Sequence, residues 1–185
     1  MTSILLSNVL LSDAVMFEML FPKEASFVVK AYEEFTLQSA TSIAERFGRD
    51  LNHISRVSSV ALEIYDKMKK LHGYKLRERT LLQVSAILQD IGKYVNVKNH
   101  ALLSYNTITN LDIVGINDHE RLIIATVCYY HNGNIPSMDS PIYNQLSQED
   151  RVMVSKLAAI LQISNAINTS HSPKFEQVNV NMKNW

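Results

Sequence analysis

Four residues of the sequence carry side chains suited to holding a divalent cation: His53, Asp90, His100 and His131. Imidazole nitrogen and carboxylate oxygen are the donors such an ion takes, and ligands this far apart in sequence must be brought together by several elements. For each residue alone the plainer reading is a hydrogen-bonded histidine or acid of a helical core. A second set is cationic. Lys69, Lys70, Lys75, Arg77 and Arg79, with Lys67, flank the His72-Gly73 turn and form the one basic cluster of the sequence. Such a cluster suits a chain of phosphates. Its plainer reading is a helix C-terminus complemented by lysines, with the remaining charges solvated.

The elements that must position these residues read as helices. From Ile54 the apolar positions Val57, Ala61, Ile64, Met68 and Leu71 recur at steps of three and four, and His72-Gly73 closes that helix. A second helix runs from about Leu76 through Leu81, Val84, Leu88 and Ile91, with Gly92 as its C-terminal stop. Asn117 and Glu120 have the spacing of a capping box, which opens a third helix that reaches about His131. A fourth begins near Ser147 and carries Val154, Leu157, Leu161 and Ser164 on one stripe, with Asn165 facing inward. Residues from about Asp13 to Phe47 also read as helical, with a break near Pro22. At the far end Val178, Val180 and Met182 alternate with polar residues as in a strand.

Composition narrows the function classes. The chain has 185 residues, 46% of them hydrophobic, enough for one buried core. Lys plus Arg and Asp plus Glu each number 18, so no net field draws the chain to nucleic acid or membrane, and any phosphate binding must be local. Five scattered glycines cannot build a Gly-rich phosphate loop. A lone Cys128 excludes an internal disulfide, and with no basic leader before the apolar opening the expectation is a cytoplasmic protein without a membrane span. Cys128 itself reads as a small buried hydrophobe, and Arg151 and Lys156 as surface ion-pairing groups.

The run from His53 to Asn168 resembles the helical HD-like domain found near the C-terminus of the exopolyphosphatase and guanosine pentaphosphate phosphohydrolase (Ppx/GppA) family. The segments that carry the likeness come in order: HISRVSSVALEIYDKMKKLHGY, AILQDIG, KNHALLSYNTI, ERLIIATVCYYHN and LAAILQISNAINTSH. Together they span about two thirds of the chain. The resemblance implies an all-α, HD-domain-like helical bundle over residues 48–172. Residues 1–47 would be a helical segment like the end of a catalytic unit and its linker, with a short strand and helix remnant, and 173–185 a tail with a possible strand. It places His53, Asp90, His100 and His131 at metal positions. The departures fall on the same positions. Gln89 stands where the family pattern has the His of a His-Asp pair, Ala101 and Leu103 where related sequences carry histidines, and Asn165 and Asn168 where related forms carry Asp. An amide is a poor donor to a transition metal, so no resident cofactor is expected beyond weak divalent binding.

In the family, phosphoanhydride hydrolysis is assigned to paired actin-like N-terminal domains with a glycine-rich phosphate loop, which this sequence lacks. The resemblance therefore implies a domain that binds polyphosphate or guanosine polyphosphate for such an enzyme and self-associates, and that does not hydrolyse phosphate by itself. Two alternatives stand beside it. One is a divergent metal-dependent HD phosphohydrolase acting on a nucleotide through His53, Asp90, His100 and His131. The other is a dimerisation module that buries the apolar segment from Ile4 to Phe21.

Overall fold

A computed structural model describes residue 20 and residues 22–169. The expected N-terminal strand and helix remnant, most of the segment from Ile4 to Phe21, and the expected strand of the tail lie outside the described residues. Those described form an all-α fold, with no strand among them, as the helical periodicity implied.

Helix α1 spans Pro22–Arg46, α2 Leu51–Lys67, α3 Lys69–His72 and α4 Leu76–Leu88. A 3-10 turn follows over Ile91–Tyr94, then α5 His100–Ile108, α6 Asp118–Tyr130, α7 Pro141–Asn144 and α8 Gln148–Thr169. Helix α4 is the hub, packed against α1, α2 and α6. Its segment has no polar stripe because Leu81, Leu82, Val84, Ser85, Ala86, Ile87 and Leu88 are all buried, as expected of a helix surrounded by others. Ser85 survives there because its hydroxyl donates to the Leu81 carbonyl at 2.8 Å, so no polar group is left wanting. Helix α1 contributes Ala40, Ile43 and Ala44 to the same core, and α8 contributes Val154, Leu157, Ala158 and Leu161.

Local sequence sets the helix ends. Asn117 and Glu120 form the capping box of α6: the Asn117 side chain accepts from the Glu120 amide at 2.9 Å, and the Glu120 carboxylate accepts from the Asn117 amide at 3.2 Å. Ser147 receives the Asp150 amide at 3.1 Å where α8 begins. Two expectations need correction. The stripe does not continue unbroken to Leu71: the Met68 amide bonds to both the Ile64 and Tyr65 carbonyls, the helix breaks there, and Leu71 turns out to solvent at 63% exposure. Helix α4 ends at Leu88, and Gly92 is not its stop. Gly92 lies buried inside the 3-10 turn, where a side chain would run into the backbone of α5. The His72-Gly73 turn does close α3, with Gly73 in the left-handed region at φ 71°.

Candidate functional site

Three helix ends meet around Asp90. That residue follows the end of α4 and opens the 3-10 turn, His100 is the first residue of α5, and His131 caps the C-terminus of α6. All three are buried, with one ligand-type atom from each within 4.8 Å of the others. His131 Nε2 stands 3.2 Å from Asp90 Oδ1, His100 Nε2 3.6 Å from the same oxygen, and the two Nε2 atoms 3.3 Å apart. Each ring is fixed from behind. His100 Nδ1 lies 2.7 Å from the Val97 carbonyl and His131 Nδ1 is similarly close to the Cys128 carbonyl. A carbonyl only accepts, so both Nδ1 atoms carry a proton, and the Nε2 edge of each ring faces Asp90.

The seating of α5 depends on Ser104. Its hydroxyl donates to the Gln89 carbonyl at 2.7 Å and accepts from the Gly92 amide at 2.9 Å, tying α5 to the turn that holds Asp90. Sequence reasoning assigned Ser104 no role, and no local pattern marks it. Lys93 and Arg49 were also missed. Lys93 Nζ is 2.7 Å from Asp90 Oδ2 and Arg49 reaches within 4.0 Å of it. The spacing of three from Asp90 to Lys93 was a readable signal; nothing local ties Arg49 to Asp90.

Electrostatics follow from this placement. Burial alone would raise the Asp90 carboxyl, but His131 and Lys93 beside it hold it well below the usual carboxylate range. His100 is lowered, first by burial and further by neighbouring positive charge at His131, against the pull of the Val97 carbonyl. His53, on the first turn of α2, is half-buried and also lowered, mainly by burial, with Asp90 opposing and Lys93 and Arg56 adding to the effect. It belongs to the surroundings of Asp90 but not to the tight group of three.

Gln89 and Asn165 form a pair of their own. The Gln89 amide nitrogen donates to the Asn165 oxygen at 3.0 Å, and the Asn165 nitrogen donates back to Gln89 at 2.6 Å, joining α4 to α8. This closed amide ring is neutral, and each group answers the other. Asn168 turns to its own helix and donates to the Ser164 carbonyl.

The five residues of the basic cluster do not converge. Arg77 points to the start of α6, where its guanidinium grips both oxygens of Glu120 and donates to the Gly115 carbonyl at 2.7 Å. Arg79 points the other way, to α2, and clasps Asp66 through contacts of 2.9 Å. The groove beside it is lined by Glu63 and Asp66 as well as Lys67 and Arg79, so its charges are mixed. The Lys75 amide donates to Glu78 at the head of α4, and Lys69 and Lys70 are exposed on α3. Cys128 is fully buried, with its thiol directed at the Ser85 carbonyl and pushed up by burial, which suits the inert role expected of it. No helix among the described residues is long and apolar enough to cross a membrane. A family model described as Ppx/GppA phosphatase, domain III, matches residues 37–184, a span that includes all the residues discussed in this section.

Proposed function

The chain belongs to the Ppx/GppA phosphatase family, and from that membership we propose that this helical domain supports the binding of polyphosphate or guanosine polyphosphate without hydrolysing it. Hydrolysis is then the work of the actin-like domains of such enzymes. The observation that carries the reading is the gathering of Arg49 and Lys93 around the buried Asp90 carboxylate, with His53 beside it. Phosphate oxygens accept charge-assisted hydrogen bonds from Arg and Lys, and a site with more cations than carboxylates favours a polyanion. The neutral Gln89–Asn165 ring agrees with a binding role, since amides stand at the positions where the resemblance has a histidine and an aspartate as metal ligands.

The test is titration of the full chain with labelled polyphosphates of increasing length, in the presence of chelator, read by fluorescence anisotropy. Affinity should rise with chain length and fall steeply with salt. Arg49→Ala with Lys93→Ala should weaken it by about tenfold or more, as loss of one charge-assisted hydrogen bond already does. Binding that is absent, or indifferent to chain length, ends the proposal. Loss only in a Lys69→Ala, Lys70→Ala, Lys75→Ala variant would move the phosphate path to the His72-Gly73 turn. Self-association belongs to the same reading. Tyr32 and Phe35 lie one turn apart on α1 and are 53% and 61% exposed, and sedimentation of the chain against a Tyr32→Ser, Phe35→Ser variant measures it.

A further inference from the structure

We propose that Asn132-Gly133, the exposed turn that follows α6, is a site of spontaneous deamidation, at which the chain converts its own asparagine to isoaspartate and aspartate. The inference does not depend on polyphosphate binding and starts from how α6 ends. Gly133 stands in the left-handed region at φ 87°, a conformation that stops a helix and that residues with a side chain adopt only at a cost. The residue before it is an asparagine, and Asn132 is the one asparagine of the sequence that a glycine follows. Both residues are exposed, and a carbon added at Gly133 would meet nothing within 4 Å, so no neighbouring group crowds the pair. Among the described residues, none accepts a hydrogen bond from the Gly133 amide or from the Asn132 side chain. A nucleophile and its electrophile are therefore adjacent, in water and uncommitted. The signal that ends the helix is also the labile one.

The chemistry balances with water alone. The Gly133 amide nitrogen gives its proton to hydroxide and attacks Asn132 Cγ; the N–Cγ bond forms, the Cγ–Nδ2 bond breaks, and ammonia leaves. The product is a five-membered succinimide, whose closure is easiest at glycine because no Cβ crowds the nitrogen. Water then opens the ring at one of its two carbonyls. Cleavage at the Asn132 main-chain carbon leaves isoaspartate, and cleavage at Cγ leaves aspartate. Either product carries a carboxylate where the amide stood. The isoaspartyl product no longer fits the turn that makes it. Gln162 Nε2 on α8 donates to the Tyr130 carbonyl at 2.7 Å and to the Asn134 carbonyl at 3.2 Å, holding both ends of the turn through one amide group. Isoaspartate routes the main chain through Cβ and adds one C–C bond, about 1.5 Å, between those two carbonyls. Tyr130 is buried at the end of α6 and stays, so the bond to the exposed Asn134 is the one that breaks. Aspartate, whose main chain is unaltered, leaves both bonds in place.

The experiment incubates the full folded chain in warm, mildly alkaline buffer and follows it by peptide mass mapping. The peptide containing Asn132 should gain one mass unit, separate into isoaspartyl and aspartyl forms, and accept a methyl group from an isoaspartyl methyltransferase. Neutral hydroxylamine, which opens a succinimide, should cut the chain between Asn132 and Gly133. Asn132→Gln should lose all of these signals, and Gly133→Ala should lose most of them. If Gly133→Ala fails to fold, Asn132→Gln, a change at an exposed position, keeps the comparison. By NMR, the side-chain amide protons of Gln162 should exchange faster with water in the isoaspartyl form, while Asn132→Asp retains the wild-type rate. Conversion of Asn132 in urea but not in the folded chain would overturn the proposal, because the turn would then protect the pair. So would conversion to aspartate alone, which bypasses the succinimide, or conversion of another asparagine ahead of Asn132. Unchanged Gln162 exchange in the isoaspartyl form would overturn the expected loosening of the turn.

Discussion

Replacing Gly92 with alanine adds one carbon where the protein has no room for it. That carbon would fall 2.2 Å from the His100 carbonyl oxygen, 2.5 Å from the Ser104 amide nitrogen and 2.9 Å from Leu103 Cβ. Two of these neighbours are backbone, so no side chain can swing aside, and α5 must retreat by about 1 Å to reach ordinary contact. Overpacking of this kind costs about 1–3 kcal/mol. The retreat also stretches the Ser104 bridge, whose hydroxyl joins the Gly92 amide to the Gln89 carbonyl, and leaving buried groups unsatisfied adds about 1–3 kcal/mol. The sum, about 2–6 kcal/mol, is a large share of the roughly 5–15 kcal/mol that holds a domain folded. With a urea slope of about 2–3 kcal/mol/M, the unfolding midpoint followed by circular dichroism should fall by about 0.7–3 M. Ser104→Ala should be less than additive with Gly92→Ala, because both break one bridge. A midpoint shift below about 0.3 M at unchanged slope would refute the claim that Gly92 seats α5.

Glu120→Gln should cost about 1 kcal/mol at pH 7, the screened value appropriate to a partner such as Arg77 that is 37% exposed. Burial opposes ionisation of Glu120, yet Arg77 and the Asn117 amide lower its carboxyl below the ordinary glutamate value. The depressed folded-state value means that this stability is present above the unfolded value of about 4.3 and is lost as pH falls through the folded one. The gap between wild type and variant, measured by urea unfolding, should therefore hold from pH 8 to 6 and close in the acid range. Gln89→Ala should cost about 1–3 kcal/mol by removing both of its hydrogen bonds with the Asn165 amide, measured in the same way. Gln89→His with Asn165→Asp should restore a cation site beside His53 and Asp90. Metal analysis should then show more bound metal than in the wild type; no gain would mean that the replaced positions no longer frame a site.

Much of the helical fold was legible in the sequence because its signals are local. The apolar period of α2 and the Asn117–Glu120 box of α6 lie within a few residues of the features they determine. The misreadings arose where a distant element intervened. Gly92 looks like a helix terminator from its neighbours alone, but α5, which begins eight residues on, closes over it. Arg77 and Arg79 look like free cations beside a turn, yet their carboxylates are 43 and 13 residues away in sequence. The candidate site was partly readable. The order of His53, Asp90, His100 and His131 suggested a common location, while the tight grouping of only three of them depends on where three helix ends happen to stop. The Gln89–Asn165 ring, closed across 76 residues, follows from the facing of α4 against α8, which periodicity does not supply.

The anchoring of His100 and His131 repeats one short device. Each ring leans on the carbonyl three residues before it, Val97 for His100 and Cys128 for His131. The Nδ1 edge of each ring is thus held by its own stretch of chain, while the Nε2 edges meet at Asp90. Replacing one of the two histidines therefore leaves the other's carbonyl anchor intact, because the two anchors share no residue.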